Sequence, residues 1–121
     1  MSDAAVIANR YIAVWNETDS QRRRALLAQS WTEDGTYTDP LMHGEGHDQI
    51  DALIGAVQQR FPDFRFALTG RADGYGDHVR FSWELGPKDG ESLIKGTDFA
   101  VLEGDRLKSV SGFLDQVPAA A

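Results

Sequence analysis

A chain of 121 residues is long enough for one core and one domain. Its apolar (41%) and charged (26%) fractions are ordinary, and a net charge of −7 argues against nucleic acid and anionic membrane, which need a basic footprint. The absence of cysteine excludes disulfides, thiolate nucleophiles and cysteine-bound zinc.

Ile7, Tyr11 and Trp15, with Val6 and Val14 beside them, form one apolar helix face over about residues 4–16. Asp19 or Ser20 can cap a second helix, in which Leu27 and Trp31 repeat the spacing and Arg22, Arg23 and Arg24 read as a solvated face. Thr36, Tyr37 and Thr38 have strand character, and Pro40 stops pairing near Asp39. Asp39 is then either a turn cap or an acid at the mouth of a pocket. His43 and His47 flank "GEG" in what reads as a solvated loop. Without a strict ligand motif, neither a metal nor an organic cofactor is expected.

The third helix carries Ile50, Leu53, Ile54, Val57 and Phe61, with Asp48 and Asp51 in its first turn, Arg60 in its last, and Pro62 as its stop. The period then changes to two. Phe64, Phe66 and Leu68 alternate with polar or small residues, and "GYGD" turns the chain into Val79, Phe81, Trp83 and Leu85. "GPKDG" is a second turn, Ile94–Leu102 a strand, "EGD" a third turn and Leu107–Asp115 a final strand. The tail 117–121 is expected to fray. Strands joined by tight turns predict an antiparallel meander. The expected fold is α+β: a cone-like curved antiparallel sheet packed by three N-terminal helices around an apolar pocket, in one domain spanning 1–121. The uncovered sheet face favours a homodimer. No run approaches about eighteen apolar residues and no signal pattern opens the chain, so the expected location is the cytoplasm.

The element order and the phrases "RYIAVWN", "YTDP", "HGEGHDQI", "GTDFAVLEGDRL" and "VSGFLD" resemble the nuclear-transport-factor-2-like superfamily, closest to its SnoaL-like and ketosteroid-isomerase-like branches. The resemblance spans about residues 5–116 and implies three site positions. The isomerase's pocket tyrosine falls on Tyr11, its proton-shuttling aspartate on Asp39, and its oxyanion-hole aspartate on Asp98. It implies removal of a proton α to a carbonyl by Asp39, with the enolate oxygen held by Tyr11 and a protonated Asp98. Asp98 stands in a mostly apolar strand, which favours its neutral form if it faces inward.

The pattern also departs from the isomerase. Its third-helix tyrosine falls on Ile54, which has no hydroxyl, and about one extra helical turn brings Trp31 towards the pocket floor. Trp15 and Trp31 crowd the cavity, which suits a ligand smaller than a steroid. Phe61, Phe66, Phe81, Trp83, Phe99 and Phe113 are expected as core and wall residues, and His43 as a rim residue able to orient Asp39. Asp115 is an alternative base, as in the polyketide-cyclase branch. Epoxide hydrolysis is rejected because its arginine position holds Gly96. The expected partner is a small apolar carbonyl-bearing molecule, bound with or without turnover. Turnover by this scheme requires Tyr11, Asp39 and Asp98 to face one cavity.

Overall fold

The structure, a computed structural model, describes residues 3–118. Of the tail expected to fray, residues 119–121 lie outside the described residues. The first helix, α1, runs Ala4–Asn16 and is capped by Asp3, whose side chain accepts from the Ala5 N–H at 2.9 Å. The second, α2, runs Ser20–Ser30 and is capped by Asp19, which accepts from the Arg22 N–H at 3.0 Å. Strands β1 (Trp31–Thr38) and β2 (His43–Glu45) precede α3 (Gly46–Arg60). The remaining strands are β3 (Phe64–Tyr75), β4 (His78–Pro87), β5 (Ile94–Glu103) and β6 (Arg106–Gln116). Gly76 and Gly104 take positive φ (54° and 62°) in the tight turns that join β3 to β4 and β5 to β6.

The six strands form one sheet in the order β2-β1-β6-β5-β4-β3. The β3–β6 meander is antiparallel as expected, but β1 pairs with β6 in parallel, through Tyr37 and Val110, so the sheet is mixed. Helix α1 packs on β3 and β4, and α3 on β1 and β2, which puts the core between helices and one sheet face. None of the described helices is long and apolar enough to cross a membrane.

Four local readings change, the last of them the solvated face expected of Arg23. Trp31 opens β1 rather than continuing α2, because pairing opposite Leu107 overrides the helical spacing it shares with Leu27. Its ring folds over Gly35, where a Cβ would lie only 2.7 Å from Trp31 Cε3. The "HGE" segment is a short strand, with Gly44 opposite Tyr37, and not a loop. Helix α3 starts at Gly46, which moves Asp51 out of the first turn.

Arg23 is buried, whereas its neighbours Arg22 and Arg24 are exposed. Its guanidinium donates to Asp51 Oδ1 at 2.6 Å, to Gln58 Oε1 at 2.8 Å and to the Glu17 carbonyl at 3.0 Å. Gln58 in turn donates to the carbonyls of Trp15 (3.0 Å) and Glu17 (2.9 Å), so this network ties the end of α1 to α2 and α3. A buried ion pair is tolerated when every charge has partners, and these bonds supply them. The consequence for the site is that Trp15 is held at a fixed place.

Candidate functional site

Tyr37 and Asp39 lie two residues apart at the end of β1, hence on one side of the chain. After Pro40 the chain turns back, and the Asp39 N–H donates to the Met42 carbonyl at 2.9 Å. Asp39 Oδ1 accepts from the Leu41 and Met42 N–H groups, both at 2.8 Å, and Oδ2 accepts from the Tyr37 hydroxyl at 2.6 Å. Asp39 therefore caps a turn, and it also lines a cavity of about 920 Å³. The two readings of the strand-end acid turn out to be compatible.

The cavity wall takes Tyr11 and Trp15 from α1, Val57 and Arg60 from α3, Phe61 from the residue that caps α3, Phe66 from β3, and Trp83 and Leu85 from β4. Trp83 can lie flat on the sheet because its neighbour on β5 is Gly96, where a Cβ would sit 2.3 Å from the indole. Leu41, Leu93 and Val117 are wall residues that are also exposed, and they mark the opening.

Asp98 faces the helices from the middle of β5, level with Phe81 on β4 and Gly112 on β6. It is 1% exposed. The Tyr11 hydroxyl donates to its Oδ2 at 2.6 Å, while Oδ1 and the nearby Trp83 Nε1 are buried without hydrogen-bond partners. Burial raises the Asp98 pKa from the ordinary 3.8 to about 6; the hydrogen bond from Tyr11 opposes the shift, and the charges of Asp39 and Asp115 add to it. Tyr11 is raised well above an ordinary phenol, first by burial and then by the Asp98 charge. Tyr37 is raised for the same two reasons and by its bond to Asp39. Both phenols are neutral donors at any working pH.

Gly112 holds the corner where these groups meet. A Cβ there would lie 2.9 Å from Asp98 Oδ1, 3.3 Å from Asp39 Cβ and 3.4 Å from Tyr37 Oη. A side chain at this position would separate the two carboxyl systems.

The expected site residues divide into three groups. Tyr11, Trp15, Asp39, Phe61 and Trp83 are on the cavity wall. Asp98, Phe81, Trp31 and Ile54 face the same interior but are buried in the core behind it: Trp31 and Ile54 are fully buried, and Phe81 packs against Tyr11 with centroids 4.9 Å apart and ring planes tilted by 60°. His43, Phe113 and Asp115 are outside the cavity. His43 is exposed and its Nδ1 bonds Thr38 Oγ1 at 2.7 Å. Phe113 and Asp115 point from β6 to the open sheet face, where Phe113 packs edge-on against Phe99, which is likewise outside the core and wall it was expected to join, and Asp115 accepts from Thr97 Oγ1 at 2.7 Å. His47 turns away from His43 to the Trp31 carbonyl, and among the described residues no three His, Asp or Glu side chains could share a metal ion. Sequence reasoning missed Tyr37 and Arg60 as wall residues. The spacing of Tyr37 from Asp39 along a strand was the available signal for the first.

A family model described as a SnoaL-like domain matches residues 8–110. The structure is similar to that of a candidate isomerase of the SnoaL-like family from Agrobacterium tumefaciens: 47% identity, 95% of this chain and 99% of that one covered, TM-score 0.90. A candidate SnoaL-like polyketide cyclase from Jannaschia sp. shares the fold at 14% identity, with 98% and 93% coverage and a TM-score of 0.73. So does a protein of ketosteroid-isomerase-like fold from Catenulispora acidiphila, in complex with trimethylamine, at 20% identity, 88% and 82% coverage and a TM-score of 0.72. No curated protein matches the chain.

The raised pKa of Asp98 has a thermodynamic consequence. The folded protein holds this proton more tightly than the unfolded chain does, so the stability it confers is full below pH 3.8 and is lost as pH rises through about 6. The loss amounts to about 3 kcal/mol. Asp98→Asn removes the titration and keeps an acceptor for Tyr11. In urea unfolding, the variant's stability relative to wild type should rise by about that amount between pH 3 and pH 7. A difference that does not change with pH would show that Asp98 titrates normally.

Proposed function

The chain belongs to the SnoaL-like domain family, and from that membership we propose that its cavity binds a small carbonyl compound and performs cofactor-independent acid/base chemistry on it, as an isomerase or a cyclase would. The observation that carries this reading is the state of Asp39: an ordered carboxylate on the wall of an otherwise mostly apolar cavity. A carboxylate offers about four acceptor positions, and three of them are filled by Leu41, Met42 and Tyr37. The vacant one is on Oδ2. In this reading it takes a proton α to the ligand's carbonyl, leaving an enolate, and Asp39 then returns the proton at another carbon of the conjugated system. In the cyclase variant, the enolate carbon attacks a second carbonyl of the same molecule and Asp39 returns the proton to the new alkoxide.

The enolate oxygen needs donors. Tyr11 lines the cavity, but its hydroxyl points to Asp98. When Asp98 is protonated it can donate to the Tyr11 oxygen, and the phenolic hydrogen is then free to turn to the ligand. The raised pKa of Asp98 supports this step by populating the neutral acid closer to neutrality. The same geometry favours a second reading: with Asp98 ionised, Tyr11 is committed and the cavity is a binding site without turnover.

A second copy of the chain is the partner we propose for the open sheet face, where Phe99 and Phe113 are 45% and 55% exposed. Light scattering at micromolar concentration should give about twice 13.4 kDa. A species of only that mass would remove the dimer.

Deuterium incorporation from solvent into small cyclic ketones such as 2-tetralone, followed by NMR, separates turnover from binding. Wild type should accelerate exchange above buffer, Asp98→Asn should retain most of the rate, and Asp39→Asn should lose it by at least about 100-fold. Exchange at the buffer rate in wild type, with binding intact, would leave only the non-catalytic reading.

A further inference from the structure

Two charged side chains lie on the cavity wall, Asp39 and Arg60. The first already accepts from Leu41, Met42 and Tyr37. Among the described residues, the second is exposed and, like Arg10 and Arg65 outside the cavity, has neither an acidic partner nor a side-chain hydrogen bond, whereas Arg23, Arg24 and Arg80 are each paired with aspartates. Its one specific contact is with Phe61, another wall residue, whose ring centroid lies 5.7 Å from the guanidinium carbon. A cation at the C-terminus of α3 is also favoured by the helix dipole. That accounts for a positive charge at this end of the helix, but not for its place on a cavity wall.

A guanidinium cannot shed its proton, so the charge stays. The wall around it is apolar, and Leu41, Leu93 and Val117 at the opening are 75%, 42% and 55% exposed. A neutral apolar ligand would cover those three and leave Arg60 unanswered. A carboxylate would match the planar fork of the guanidinium with two parallel hydrogen bonds. A phosphate fits less well: its second negative charge would find no further cation on the wall, in a chain of net charge −7.

We propose that Arg60 docks the carboxylate of an amphiphilic ligand, so that the substrate class is an apolar oxo acid. The proposal rests on the reading of this cavity as the ligand site and narrows it. Its carboxylate sits on Arg60 at the wall of α3, its apolar body lies against Phe61, Trp15 and Trp83, and its carbonyl reaches the Tyr37–Asp39 end. The two wall charges set this direction, because the reverse placement would bring two carboxylates together at Asp39.

The test uses 6-phenylhexanoate and its primary amide, two probes of equal shape that differ in charge, titrated against the intact chain at pH 7.5 and followed by tryptophan fluorescence. Wild type should bind the acid about tenfold more tightly than the amide. Arg60→Gln should bring the acid to the level of the amide and leave the amide unchanged. Equal affinities for the two probes in wild type, or an Arg60→Gln variant that weakens both alike, would overturn the assignment of Arg60 while leaving the cavity as the ligand site. Failure of both probes to bind wild type would overturn the cavity reading and the Arg60 assignment together.

Discussion

A carboxyl group buried in the middle of an apolar sheet face is the constraint around which this interior is arranged. Taking Asp98 out of water is costly, and only a partner inside the fold can offset that cost. The partner is the Tyr11 hydroxyl, 87 residues away in sequence, which joins α1 to β5 at 2.6 Å. For the bond to form, the phenol must lie among other rings. It is packed against Phe81 at 4.9 Å between centroids, Trp15 at 6.1 Å and Trp31 at 6.2 Å. The helix is thereby set over the sheet by one polar contact inside an aromatic shell, and the Arg23–Gln58 network fixes its far end.

Beside this knot the fold has left space where it has used glycine. Gly96 gives room to Trp83, and Gly112 lets Asp39, Tyr37 and Asp98 approach one corner. Two acids at this distance influence each other: the Asp39 charge is one of the causes that raise Asp98. Their surroundings keep them different. Asp39 is answered by three donors at the end of a strand, and Asp98 has one donor and an unpartnered oxygen. A pair of carboxyls in such unequal settings is suited to divide acid and base roles between them.

Most of the fold was legible from local signals. The 3.6-residue period of α1 and α3, the alternation of β4 and the glycine turns all acted within short windows, where local preference and tertiary structure agree. Trp31 was not legible, since its strand state depends on pairing with β6, more than seventy residues later. Arg23 looked like its exposed neighbours, and only the position of Asp51 on another helix makes it a buried residue. At the site, Asp39, Tyr11 and Asp98 came from the family resemblance, and the spacing along β1 would have added Tyr37. Phe113 and Asp115 went to the wrong face because Gly112, an inward position of β6, has no side chain to reveal the phase of the alternation. Arg60 read as a helix-ending cation, and nothing in sequence says which cation also borders a cavity.

The account depends most directly on the electrostatic inequality of the two acids. Carbon-13 NMR of aspartate side-chain carboxyls, assigned through the loss of one resonance in Asp98→Asn, reports it without any knowledge of the ligand. The Asp98 carboxyl should titrate with a midpoint near 6. A midpoint near the ordinary 3.8 would mean that the buried acid is ionised wherever the protein works, that Tyr11 stays committed to it, and that the proposed donor pair does not exist.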